Sequence, residues 1–376
     1  MFKILKPTTV GKLEIRNRFI RSATQDSSAD LSGTVTDDSI RIFAELAAGG
    51  VGLIITGHAF VSQNGQASAS QYGIYSDEMV PGLARLSHVA HKHGAKIAAQ
   101  INHSGLSSAY LAGRGQMTLG PSQVEGRPPH RAMAEEEIDG VINDFVAAAE
   151  RAREAGFDAV QLHGAHGFLL SQFFSPITNR RQDRWGGTPE NRRRLHLEVI
   201  HRVRAAVGDD FPILMKFGVM DDQEGGATLE EGIAAVQAMA QAGLDAIEIS
   251  GGMGAGSLGA IRVLNDGNSE DVYYRERAAR AKRASNLTLA LVGGIRRLET
   301  AEDIVTSGDA DLVSLSRALI REPGLISRWL SGDQRRARCI SCNKCTGAMR
   351  RSKVLECGEE RRLAETQQPG PDQLGQ

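Results

Sequence analysis

The chain has 376 residues, 41% of them hydrophobic and 24% charged, with 44 basic side chains against 45 acidic ones. That is the composition of a soluble globular protein, long enough for one large domain or two modest ones. A formal net charge of −1 supplies no field to draw in nucleic acid or an anionic membrane surface, and no apolar run approaches a membrane span, so neither partner is expected. The opening MFKILKPTTVGKLEIRNRF has no apolar core of signal-peptide length, which makes the cytoplasm the expected compartment.

In chain order, short apolar runs predict strands at 18–24, 51–57, 95–101, 157–163, 211–218, 244–250, 287–294 and 310–317. Most are near-continuously apolar, as parallel strands covered on both faces should be. Helical stretches alternate with them, at roughly 37–48, 77–93, 134–156, 188–207, 228–242, 271–284, 298–307 and 322–331. The clearest, 134–156, opens with acids and closes at Gly156, as a helix with its dipole complemented should. Eight strand–helix units predict an α/β protein of the (β/α)8 TIM barrel type. A doubly wound open sheet is the runner-up, disfavoured by the absence of an early GxGxxG. Three connections that follow strands are long, 102–133, 164–187 and 251–270, and in a barrel all three lie on the face where active sites form. The expected division is a barrel over 1–335, a four-cysteine segment over 336–362 and a disordered tail over 363–376.

The strand ends carry the chemistry. Thr24 and Gln25 end the first strand, Gly57 and His58 the second, and Gln100 and Asn102 the third. His163 and His166 end the fourth and Lys216 the fifth; Ser250, Gly251 and Gly252 end the sixth. Gly293 and Gly294 end the seventh, Ser316 and Arg317 the eighth. Two imidazoles three residues apart can hold one oxygen and stabilise charge developing on it; the blander reading is a capping or packing pair. Glycines after strands six and seven with an arginine after strand eight suit a phosphate, and the blander reading is turn glycine. Lys216 ends an otherwise apolar strand and needs a negative partner. Gln100 offers an amide donor and acceptor. Taken together, these residues describe a site for a phosphorylated, hydrogen-bonding heterocycle.

All four cysteines fall in CISCNKCTGAMRRSKVLEC, as Cys339, Cys342, Cys345 and Cys357. Three thiolates at two-residue gaps with a fourth further on favour an iron–sulfur cluster over structural zinc, which more often uses two separated Cys-x2-Cys pairs.

Over residues 1–335 the chain resembles the Old Yellow Enzyme family of FMN-dependent NAD(P)H:flavin oxidoreductases. The motifs that carry the resemblance are NRF near residue 17, GGVGLIITG (49–57), AAQINHSG (98–105), AGFDAVQLHGAHGFLLSQFFSP (155–176), NRRQDRWGG (179–187), SGG (250–252), VGGI (292–295) and SRALIREP (316–323). The resemblance implies that Thr24, Gln25 and Gly57 line an FMN, that Gln100 bonds its pyrimidine side, and that Gly252 belongs to the same cofactor site. It implies that Gly293, Gly294, Ser316 and Arg317 hold the phosphate, and that His163 and His166 hold a substrate carbonyl oxygen. Lys216 stands where many members have arginine, and either cation would stabilise negative charge on reduced flavin. Phe168 stands where many members have a tyrosine that protonates the substrate carbon, so another acid is needed; Tyr110 and solvent are the candidates.

The cysteine spacing is similar to the branch with 2,4-dienoyl-CoA reductase and trimethylamine dehydrogenase, which implies a [4Fe-4S] cluster exchanging electrons with FMN. Further FAD- and nucleotide-binding domains, which those relatives carry, are not expected here. The expected activity is hydride transfer from NAD(P)H through FMN to an electron-poor C=C bond of a small molecule. Amine oxidation is the enzymatic alternative, and an electron-relay subunit the alternative of another class. Reductant is expected from NAD(P)H or from a separate electron-transfer protein, and a homo-oligomer is compatible with this composition.

Overall fold

The computed structural model describes residues 2–253, 262–263, 272–347 and 354–367. Eight parallel strands form its centre: β1 Phe19–Arg21, β2 Leu53–Ile55, β3 Lys96–Asn102, β4 Ala159–Gly164, β5 Ile213–Gly218, β6 Ala246–Ser250, β7 Thr288–Val292 and β8 Leu312–Leu315. Each pairs with its neighbour in sequence, and β8 pairs with β1, so the sheet closes on itself. The expected (β/α)8 barrel is the fold, and each strand ends within three residues of the end of its expected run.

The helices that cover the barrel are α1 Asp37–Ala48, α2 Val80–Lys92, α3 Glu135–Glu154, α4 Arg194–Val207, α5 Leu229–Gln241, α6 Arg275–Ala284, α7 Leu298–Thr306 and α8 Leu325–Leu330. Local chemistry sets their ends. Thr36 caps α1 and Thr228 caps α5, each accepting from the backbone N–H three residues on. In α3, Glu135, Glu136 and Glu137 fill the first turn, and Arg151 and Arg153 the last. The helix expected over 322–331 starts only at Leu325: Pro323 forces Glu322 out of helical geometry, to φ −142° and ψ 77°, and separates α8 from a short helix at Arg317–Arg321.

Side chains alternate along a strand, so each barrel strand presents every second residue to the interior. The lower interior is apolar: Ile20, Leu53, Ile55, Ala98, Ala159, Leu214, Ala246, Ala290 and Leu312 form one buried cluster. Val10 and Ile15 join it from an antiparallel hairpin, Thr8–Val10 with Leu13–Ile15, which plugs that end. Two residues further up the same strands the interior turns polar, at Ser22, Gln100, Gln161, Lys216, Glu248 and Ser314, all buried. The outward set packs against the helices in a second, larger core.

The connection after β3 holds a small parallel pair, Thr118–Gly120 with His130–Ala132, too short for periodicity to reveal. Most of the long connection expected after β6 lies outside the described residues. The tail expected to be disordered from 363 instead begins within a helix, α9 Gly358–Gln367, and its remainder, 368–376, lies outside the described residues. No helix among the described residues is long and apolar enough to cross a membrane.

Candidate active site

At the C-terminal ends of the strands lies a cavity of about 350 Å³. Its wall contains Thr24, Gln25, His58, Gln100, His163, His166, Lys216, Ser250, Gly293, Gly294, Ser316 and Arg317, so twelve of the strand-end residues singled out from the sequence meet around one space. Gly57 and Gly252 are not among its lining residues. A Cβ on Gly57 would sit 3.0 Å from the Thr24 carbonyl oxygen, and one on Gly252 2.2 Å from the Met220 oxygen. Their lack of side chain lets neighbouring backbone pack closely behind the site.

Beneath the cavity runs a buried polar chain. Gln100 Nε2 donates to Gln161 Oε1 at 2.7 Å, and Gln161 Nε2 donates to Glu248 Oε2 at 2.9 Å. Lys216 Nζ lies 2.8 Å from Glu248 Oε2 and donates to Ser22 Oγ at 2.8 Å, while Ser22 donates to Glu248 Oε1 at 2.7 Å. Glu248 is the negative partner that Lys216 requires. Burial pushes the Glu248 carboxyl up, but Lys216 with the other donors outweighs this and holds it below the usual carboxylate range.

Three imidazoles line one wall. Ala165 N–H reaches His163 Nδ1 at 3.4 Å, which places the proton of a neutral ring on Nε2 and leaves it to donate. His166 occupies left-handed backbone, φ 60°, a conformation costing a non-glycine residue on the order of 1 kcal/mol, and its Nε2 meets Ser250 Oγ at 2.7 Å. His58 accepts at Nδ1 from Gln71 Nε2 at 2.7 Å; Gln71 Oε1 is held by Ala67 N–H at 2.7 Å, which sets the amide's orientation. Burial lowers all three imidazoles: His58 to about 4, His166 to about 3, and His163 well below 6.5, with His166, His58 and Lys216 adding repulsion at His163. They are neutral across the physiological range.

Phe168 packs against this group, its ring centroid 5.0 Å from that of His58 and 4.8 Å from that of His163. Tyr110, expected as a candidate acid, is absent from the cavity lining; it belongs to the short helix Ala109–Ala112, with the Arg114 guanidinium 3.7 Å over its ring. His58 holds the place near Phe168 instead. Position at the end of β2 was its only sequence signal.

At the opposite end, Gly293 and Gly294 take φ of 118° and 77°, and a Cβ on Gly293 would run 2.6 Å from the Tyr273 ring. Ser314 Oγ lines the cavity with no hydrogen-bond partner among the described residues, a buried polar atom awaiting one. Amide and imidazole groups at one end, a glycine cradle and an orphan hydroxyl at the other, fit a flavin with its phosphate. Arg317 Nη1 donates to Asn343 Oδ1 at 2.6 Å, to the Arg262 oxygen at 2.7 Å and to the Ser341 oxygen at 3.3 Å, tying this end to the cysteine segment. No Asp or Glu lines the cavity among the described residues.

The four cysteines carry no disulfide and all line a second, small cavity of about 20 Å³ beside the first. Cys339, Cys345, Arg317 and Ile320 form part of both walls. Burial pushes the Cys345 and Cys357 thiols up. No three His, Cys, Asp or Glu side chains among the described residues converge on a single-ion site.

Comparison with known proteins gives a consistent picture. Residues 3–335 match the model of the NADH:flavin oxidoreductase / NADH oxidase family. The NADH oxidase of Thermoanaerobacter brockii is 37% identical over 340 residues, covering 89% of this chain and 52% of that protein. A solved 2-naphthoyl-CoA reductase in complex with 2-naphthoyl-CoA superposes with a TM-score of 0.83 at 27% identity, over 89% of this chain and 53% of that one. Histamine dehydrogenase from Rhizobium sp. 4-9 superposes with a TM-score of 0.84 at 25% identity, over 94% and 52%. The chain spans about half the length of each.

Proposed function

Because this chain belongs to the NADH:flavin oxidoreductase / NADH oxidase family, we propose that it is an FMN-dependent enzyme that passes hydride from NAD(P)H to an electron-poor C=C bond of a small molecule. Bound FMN supplies the hydride relay. The chain's own residues do the rest. Gln100 and Lys216 face the cofactor's hydrogen-bonding edge; Gly293, Gly294, Ser314, Ser316 and Arg317 receive its phosphate; Thr24 and Gln25 complete the wall. His163 and His166 hold the substrate's carbonyl oxygen and stabilise the charge that develops there as hydride adds at the far carbon.

The observation that carries this reading is the electrostatic character of the wall. Its imidazoles are neutral, and among the described residues no carboxylate faces the cavity. Such a wall suits a neutral carbonyl oxygen that becomes negative. A protonated amine would face donors and Lys216 with no anion to receive it, which weighs against amine oxidation. A pure electron relay has no use for the histidine pair. Steady-state oxidation of NAD(P)H by the isolated protein with a cyclic enone tests the proposal; turnover with amines and none with enones would overturn it.

The cofactor part has its own expected result. The protein should be yellow and release FMN, not FAD, on denaturation, since one phosphate cradle faces the cavity. Colourless protein that takes up no added FMN would contradict it.

For the cysteines we propose a [4Fe-4S] cluster on Cys339, Cys342, Cys345 and Cys357, which would exchange electrons with the flavin or with a separate carrier. Anaerobic preparation should yield about four irons per chain with matching labile sulfide. Cys342→Ala should abolish both and leave FMN bound, because Cys342 lines only the smaller cavity. Stoichiometric zinc without sulfide would show that the thiols hold a different metal.

A further inference from the structure

We propose that Glu248 is a built-in counter-ion that limits the positive charge Lys216 presents to the flavin, and so sets the flavin's redox potential. The proposal rests on the flavin reading above. Glu248 and Lys216 are direct register partners on β6 and β5. Both are almost wholly buried, at 1% and 2% exposure. Lys216 lines the cavity, whereas Glu248 does not. The two charges are therefore layered, cation against the cofactor and anion beneath it, 2.8 Å apart. Every hydrogen bond of the carboxylate goes to the barrel floor, to Ser22, Gln161 and Lys216.

The physical consequence has two parts. Glu248 is the anion that the buried Lys216 ammonium pairs with, whether or not the site is filled. The same carboxylate also opposes negative charge placed above Lys216. Two-electron reduction leaves negative charge on the flavin ring, and opposite unit charges at slightly different distances largely cancel there. Salt screens such buried charges little. Lys216 thus stabilises the reduced flavin less than a lone cation in its place would.

The test is the midpoint potential of the bound flavin, measured by photochemical reduction against reference dyes, with no NAD(P)H or substrate present. Glu248→Gln keeps the shape and removes the charge. It should raise the ratio of reduced-flavin to oxidised-flavin affinity by about tenfold or more, which for a two-electron couple is an upward shift of about 30 mV. Lys216→Met should shift the potential down. The double variant restores charge balance and should fall between the two singles, near the parent. Glu248→Asp keeps the charge and should keep the potential. An unchanged or lower potential in Glu248→Gln would overturn the proposal. Should that variant fail to fold, a double variant with the same potential as Lys216→Met would overturn it equally. Protein that binds no FMN would instead refute the flavin reading, whereas bound FMN with an unmoved potential refutes this proposal alone.

Discussion

Replacing His163 with alanine is expected to slow reduction of a cyclic enone by about 10²–10³-fold, the usual loss when one donor to a developing oxyanion is removed. Flavin binding should survive, because the phosphate cradle lies at the other end of the cavity and Gln100 and Lys216 remain. The effect belongs in the half-reaction in which substrate accepts hydride, resolved by stopped flow; flavin reduction by NAD(P)H should change far less. His163 is 3% exposed and its ring is fixed by Ala165, so little reorganisation stands between ring and ligand. Substrate reduction should also be flat with pH between about 5 and 8 as far as these rings are concerned. Burial holds His58 and His166 at about 4 and about 3 and His163 well below 6.5, so none gains a proton in that window. Folding should show the same shift in its pH dependence. A ring that is neutral when folded and free to protonate when unfolded contributes stability above about pH 6.5, and that stability is lost as pH falls towards the folded values. An alanine variant at full speed, or a bell-shaped profile centred on an ordinary histidine pKa, would remove the pair from the proposed role.

A gain of function is expected at Phe168. Saturating an activated alkene needs a proton on the carbon that does not take hydride, and a positioned acid contributes ~10²–10⁴-fold to such a step. Phenylalanine has no proton to give, and its ring lies on His58 and His163 at the cavity wall. Phe168→Tyr should therefore accelerate oxidation of the reduced enzyme by a simple enone, by about 10²-fold if no other acid serves, with flavin reduction unchanged. The structure supplies a rival acid, since His58 carries its proton on Nε2 and lines the same cavity. His58→Ala separates the two. If Phe168→Tyr brings no gain on any enone while His58→Ala slows the reaction, the imidazole already delivers the proton. If neither variant moves the rate, solvent does.

Much of this molecule was legible before its fold. The eight barrel strands, and the strand-end positions of His163, Lys216, Gly293 and Arg317, follow from local patterning: an apolar run of strand length, a turn glycine, a polar residue where the run stops. These are short-range features, and the chain writes them contiguously. The grouping of the four cysteines was equally plain because their spacing is local.

Only the tertiary structure decided which side chains meet. Glu248 reads in the sequence as one polar residue inside the strand AIEIS; barrel closure sets it against Lys216 and beneath Ser22, 226 residues away in the chain. Gln161 became the link between Gln100 and Glu248 through register, which brings alternate residues of β3, β4, β5 and β6 to adjacent inward positions. Loop paths placed His58 beside Phe168, kept Tyr110 out of the cavity, and turned Cys339 and Cys345 into a wall shared by both cavities. The sequence by itself determined the strands and the chemistry at their ends, since those depend on spacing along the chain. Pairing of charges, orientation of rings and the contact between the two cavities depend on distances between segments far apart in sequence, and those exist only once the barrel has closed.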